Sequence, residues 1–201
     1  MIEPDDPGSW VFYADNSYIV SRLLWFTGFS MEPPISAHRT IELFLKAYLV
    51  SKGEIAKRGQ PAWGHVLNDL LKLCVKHDTS FALDVLARRI RFFQRYFDLV
   101  RYPTPLEGKL EDGSMIWFGP DSSIMPLDEV VAFIRPRIII PDIDWKKSQL
   151  SFIFNASEPQ WSFQRKALTD SNKHINKIIC STTTATEIEF DSSFRLDLPG
   201  C

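Results

Sequence analysis

Apolar and polar positions follow a helical period through the first two-thirds of the chain. Ile41, Leu45, Tyr48 and Leu49 recur at i, i+4, i+7 and i+8, the spacing that places side chains on one helix face. Val66, Leu67, Leu70, Leu71 and Cys74 make a broader stripe, and Leu86, Ile90, Phe93, Phe97 and Val100 make a third. Breakers fall between the stripes: Gly28 and Pro33-Pro34, then Gly53, then Pro103 and Pro105. Ser36 reads as an N-cap behind its two prolines. This pattern predicts helices over residues 11–28, 36–52, 65–76, 81–101 and 127–135. The fold class it implies is all-α, an up-and-down antiparallel bundle of four to five helices with a C-terminal extension.

Around the bundle the reading is coarser. Residues 1–9 read as an N-terminal arm, 10–145 as the bundle, 146–180 as an extension and 181–201 as a mobile tail. The stretch before Leu127 is rich in Gly, Pro and Asp and reads as a loop, with Asp112-Gly113 suited to a hairpin turn. Ile138-Ile139-Ile140 suits either a short strand or a buried extended segment. Ser157-Glu158-Pro159 opens a sixth helix, with Phe163, Ala167, Ile175 and Ile178 on one face.

Composition narrows the class. The chain has 201 residues, 45% hydrophobic and 13% aromatic, enough to bury a core. A net charge of -2 and a pI near 6.1 carry no global basic signature, so nucleic-acid binding would need a local patch. Cys74, Cys180 and Cys201 form neither a disulfide framework nor a zinc pattern. The acidic, Pro-containing N-terminus is unlike a signal peptide, and no apolar run approaches the roughly 20 residues that span a bilayer. The expectation is a cytoplasmic protein that does not enter the membrane. No metal site is expected from four scattered histidines, and no cofactor, since no Gly-rich phosphate loop, G-x-S-x-G or H-E-x-x-H is present.

Three short segments occur in a telling order: Leu45-Lys46-Ala47-Tyr48-Leu49, then Gly64-His65 with Asn68-Asp69-Leu70, then Arg101-Tyr102-Pro103. In order and spacing, over roughly residues 10 to 140, they resemble the HEPN family (higher eukaryotes and prokaryotes nucleotide-binding domain). The resemblance implies a dimeric helical bundle. It implies one of three roles: toxin ribonuclease of toxin–antitoxin type, partner of a minimal nucleotidyltransferase, or noncatalytic RNA- or nucleotide-binding module.

Catalytic members of the family carry an Arg followed a few residues later by a His, a pair suited to metal-free RNA cleavage. The corresponding pair here is Arg58 and His65, spread across a Gly/Pro loop. The simpler alternative makes His65 the cap of the third helix, bonded to a loop or an arginine. Arg88, Arg91 and Arg95 fall within about 60° of one another on a helix of 100° per residue, a ridge able to hold phosphates. The simpler alternative pairs them with Asp84 and Asp98 on a solvated face. Arg101 complements a helix C-terminus. His38-Arg39 with Glu42 reads as an exposed, salt-bridged face. The functional expectation is a noncatalytic or regulatory module binding RNA or nucleotide through Arg88, Arg91, Arg95, His65 and Arg101, as a homodimer or beside a nucleotidyltransferase-type partner. A metal-independent ribonuclease using Arg58 and His65 stays open, as does a protein-interaction module with no nucleic-acid role.

Overall fold

The computed structural model describes residues 5–29, 32–54, 63–101, 120–140, 148–179 and 190, with backbone only at 99, 101 and 120–123. Among these residues the regular structure is entirely helical: α1 (Pro7–Phe26), α2 (Glu32–Ser51), α3 (Leu67–His77), α4 (Asp84–Arg101), α5 (Pro120–Ile134), α6 (Gln149–Asn155), α7 (Ser162–Thr169) and α8 (Ile175–Ile179). The expected hairpin turn at Asp112-Gly113 and the tail from 181 lie outside the described residues, Phe190 excepted.

Local chemistry sets the helix ends, and several differ from expectation. The first helix starts within the expected arm, because the Asp6 carboxylate accepts from the amides of Gly8 and Ser9 at 2.9 and 2.7 Å. Ser36 is not an N-cap. α2 begins at Glu32 and runs through both prolines, which first-turn positions tolerate because their amides need no intrahelical partner. Ser36 instead ties α2 to α1, accepting from the Ser21 hydroxyl at 2.9 Å. α5 starts about two turns before Leu127 and takes Pro126 into its interior. The expected sixth helix is broken in two, α7 and α8, where Ser171 takes a positive φ of 56°. Ile138–Ile140 forms no strand.

α2 is the central element. It packs against α1, α3, α4 and α5, and all but a few of its side chains are buried. Its partner α1 runs the opposite way, since Trp10 meets Lys46 at one end while Ser21 reaches Ser36 and Thr40 at the other. The C-terminal helices close over the same core. α6 and α7 pack on α1, α8 packs on α5, and Leu150, Ile153, Leu168 and Ile178 join the hydrophobic cluster.

Among the described residues, three arginines are buried inside this helical core, at 1% (Arg22), 2% (Arg89) and 0% (Arg135) exposure. Arg22 of α1 pairs with Asp128 of α5, whose other oxygen accepts from the Tyr18 hydroxyl at 2.6 Å. Arg89 of α4 pairs with Glu129 of α5. Arg135 holds Asp15 of α1 through two bonds of 2.8 and 2.9 Å. Burial pushes the Asp128 carboxyl up, Arg22 and the Tyr18 hydroxyl pull it back, and neighbouring Glu129 adds to the rise. Leftover guanidinium donors reach carbonyls of the C-terminal segment: Arg22 those of Ala167, at 2.7 Å, and Asp170, and Arg135 that of Ile178.

Arg135→Ala strands Asp15 in the core and should cost about 3–5 kcal/mol. The double change Asp15→Leu with Arg135→Met removes both charges and should recover most of that loss. Urea denaturation of both variants checks it; equal destabilisation of the two would refute the charge-stranding account.

Candidate functional site

The polar groups that α2 carries into the interior cluster near the starts of α3 and the second half of α4. Glu42 is buried and accepts from Lys46 Nζ, one turn on, at 2.5 Å. The same carboxylate faces His65 Nδ1, with Oε2 at 3.0 Å and Oε1 at 3.1 Å. His65 is 70% exposed while Glu42 and Lys46 are 9% and 8% exposed. Burial alone would raise the Glu42 carboxyl, but Lys46 and His65 outweigh it and hold the group below its ordinary range. Glu42 is therefore a carboxylate near neutrality. Lys46 Nζ also lies 5.7 Å from the ring centre of Trp10 on α1.

A second histidine closes the cluster from beneath. His38 is 1% exposed and stacks on Phe97 of α4, centroids 3.9 Å apart and planes 14° from parallel. Its Nε2 is 3.4 Å from Gln94 Oε1. Gln94 is the hinge between α4 and α3: Oε1 accepts from the Leu67 amide at 2.8 Å, and Nε2 donates to Asp98 at 3.1 and 3.2 Å. The expected cap role of His65 thus belongs to Gln94. Val66 occupies the cap position of α3 with no side-chain bond, and His65 reaches back to α2. The exposed face expected for His38 and Glu42 is corrected as well, since both are buried in the core.

The arginine ridge divides. Arg88 and Arg91 are exposed on α4, and Arg95 is half-buried. Asp98 is engaged by Gln94, and among the described residues neither Arg88 nor Arg91 has a carboxylate within ion-pair distance. The expected pairing of the ridge with Asp84 and Asp98 therefore does not form at these two positions. Arg91 precedes Gln94 by one turn, about 60° around the axis, so the ridge borders the Gln94–His38 side of α4. Arg101 is the last residue of α4, with its side chain outside the described set. Arg58 also lies outside the described residues, so the Arg58–His65 pair has no geometry to weigh. No group of three or more His, Cys, Asp or Glu side chains among the described residues is placed to hold a metal ion, and no described helix is long and apolar enough to cross a membrane.

Sequence reasoning missed Glu42 and Gln94. The i, i+4 spacing of Glu42 and Lys46 was visible, but it reads as a solvated pair until α3 and α4 cover it. No family model matches the sequence, and neither a curated protein nor a solved structure matches the chain.

The arrangement predicts a pH response at His38. Burial holds its pKa below 6.5, against Glu42, Gln94 and Asp98, which raise it; His65 lowers it further. The unfolded chain therefore takes up this proton first as pH falls. The stability from burying neutral His38 is full above about 6.5 and is lost as pH drops through the depressed folded value. His38→Phe should show a smaller loss than the wild type between pH 7 and 5 by denaturant melts. Parallel losses in the two proteins would contradict it.

Proposed function

We propose that this chain is a HEPN-like helical module, an up-and-down bundle that binds RNA or nucleotide without cleaving it. The observation that carries the reading is the contrast among its arginines. Arg22, Arg89 and Arg135 are buried and matched to carboxylates, whereas Arg88 and Arg91 stand exposed on one face of α4. Exposed guanidiniums at one-turn spacing suit phosphate oxygens, which they grip with paired donors. A local patch of this kind is compatible with a chain of net charge -2.

The homodimer in this reading draws on α1. Its only charged residues, Asp15 and Arg22, are both buried, while Phe12, Val20 and Phe26 are exposed. Lys166 lies over the Phe26 ring at 5.4 Å, so the uncharged part of this face is the Phe12 and Val20 end, which can meet its own copy without like-charge repulsion.

Arg88→Ala with Arg91→Ala should weaken binding of single-stranded RNA and flatten its salt dependence, by about 0.7 in the log–log slope for each phosphate that is no longer neutralised. Helix content should not change, because both positions are exposed and Ala favours helix. Fluorescence anisotropy across a salt series is the measurement. Binding and slope unchanged in the double variant would defeat the reading.

A further inference from the structure

Beyond α8 a single described residue, Phe190, lies against the core. Its half-buried ring meets Phe133 of α5, with centroids 5.8 Å apart and planes at 42°. The Arg89 guanidinium of α4 sits 5.1 Å from the centre of the same ring. Phe190 therefore bridges α4 and α5 where the buried Arg89–Glu129 pair joins them. Phe133 is the floor of this seat: Phe81 meets its ring on edge at 5.2 Å, and the Arg137 guanidinium lies 3.7 Å from its centre. The surroundings are basic. Burial lowers the pKa of His174, at the entry to α8, and Lys177, Lys173 and Arg89 lower it further, so these groups face one another. Arg89 carries that basic surface to Phe190. Lys173 is exposed, and Lys177 and Arg137 are half-buried. Asp78, 3.8 Å from Arg137, offsets one of the charges.

The sequence around Phe190 supplies the opposite charge. Glu187, Glu189 and Asp191 alternate with Ile188 and Phe190, the period that puts acidic and apolar side chains on opposite sides of an extended peptide. From Ile179 to Phe190 an extended chain spans roughly 35–40 Å, enough to reach the seat within one molecule. A phenylalanine ring suits this seat because it can pack on Phe133 and present its face to the Arg89 guanidinium. We propose that the surface formed by Phe133, Arg89, Arg137, Lys173 and Lys177 is a peptide-docking site that reads a phenylalanine between acidic residues. Its occupant is this chain's own segment 187–191, anchored by Phe190 and steered by its carboxylates. The docked ring also covers the Arg89–Glu129 pair, whose arginine is 2% exposed. This goes beyond the RNA-binding reading and does not depend on it.

The test uses the full chain and a labelled synthetic peptide of residues 183–193, read by fluorescence anisotropy. A segment on its own chain acts at an effective concentration of about a millimolar, so a peptide that binds the vacated seat of Phe190→Ala at about 0.1 mM should bind the wild type about tenfold more weakly. Phe190→Leu keeps most of the volume over the core, should fall between the two, and gives the same comparison if Phe190→Ala fails to fold. Within Phe190→Ala, adding Lys173→Glu and Lys177→Glu should weaken the peptide severalfold, as should raising the salt. The peptide with Phe190→Ala should not compete. Peptide binding that is absent from Phe190→Ala, or equal in Phe190→Ala and the wild type, overturns the proposal. Binding indifferent to both lysines and to salt also overturns it, since recognition of the carboxylates is part of the claim. A wild-type dimer in light scattering that Phe190→Ala dissociates overturns the intrachain occupant and gives the segment to a second copy.

Discussion

Everything in this fold hangs on the charges that α5 and the turn after it carry into the core. Asp128, Glu129 and Arg135 are each buried, and each meets an opposite charge on another helix: Arg22, Arg89 and Asp15. A buried charge without its partner is strongly unfavourable, so these pairs restrict how α1, α4 and α5 can sit. A guanidinium has more donors than one carboxylate can use. The surplus on Arg22 and Arg135 is taken up by carbonyls of Ala167, Asp170 and Ile178. α7 and α8 are therefore bound to the core through the same ions that orient α1 and α5. Short helices such as the five-residue α8 have little stability of their own, and this anchoring explains how it holds a defined place.

The polar cluster on α2 obeys the same electrostatics with a different outcome. Glu42 and Lys46 neutralise each other beneath the surface, and the carboxylate has one oxygen edge left for His65. His38, deeper in, is kept neutral by burial and packs in a stack on Phe97. Two histidines near one carboxylate thus have separate tasks: one fills the core, the other stands in solvent. Gln94 binds both halves together, accepting from the α3 amide while touching His38. Of the exposed arginines of α4, Arg91 lies one turn before Gln94 and Arg88 a further turn away.

The sequence by itself determined the helices. The 3.6-residue period of apolar positions, with Gly and Pro between the stripes, placed α1 to α4 close to where they lie, because helix formation depends on spacing that a linear chain displays directly; α5 starts about two turns before the expected Leu127, in a stretch whose Gly, Pro and Asp read as a loop. Tertiary structure decided which polar residues are inside. Asp15, Arg22, Glu42, Lys46, Asp128 and Arg135 look like ordinary surface charges along the chain, and their partners lie from 4 to 120 residues away. Whether a charge is solvated or buried is settled by the helix that comes to cover it. For the same reason His65 read as a cap. Its nearest sequence neighbours belong to α3, but its hydrogen-bond partner belongs to α2, 23 residues earlier, and only the packing of α3 on α2 brings that carboxylate within 3.0 Å.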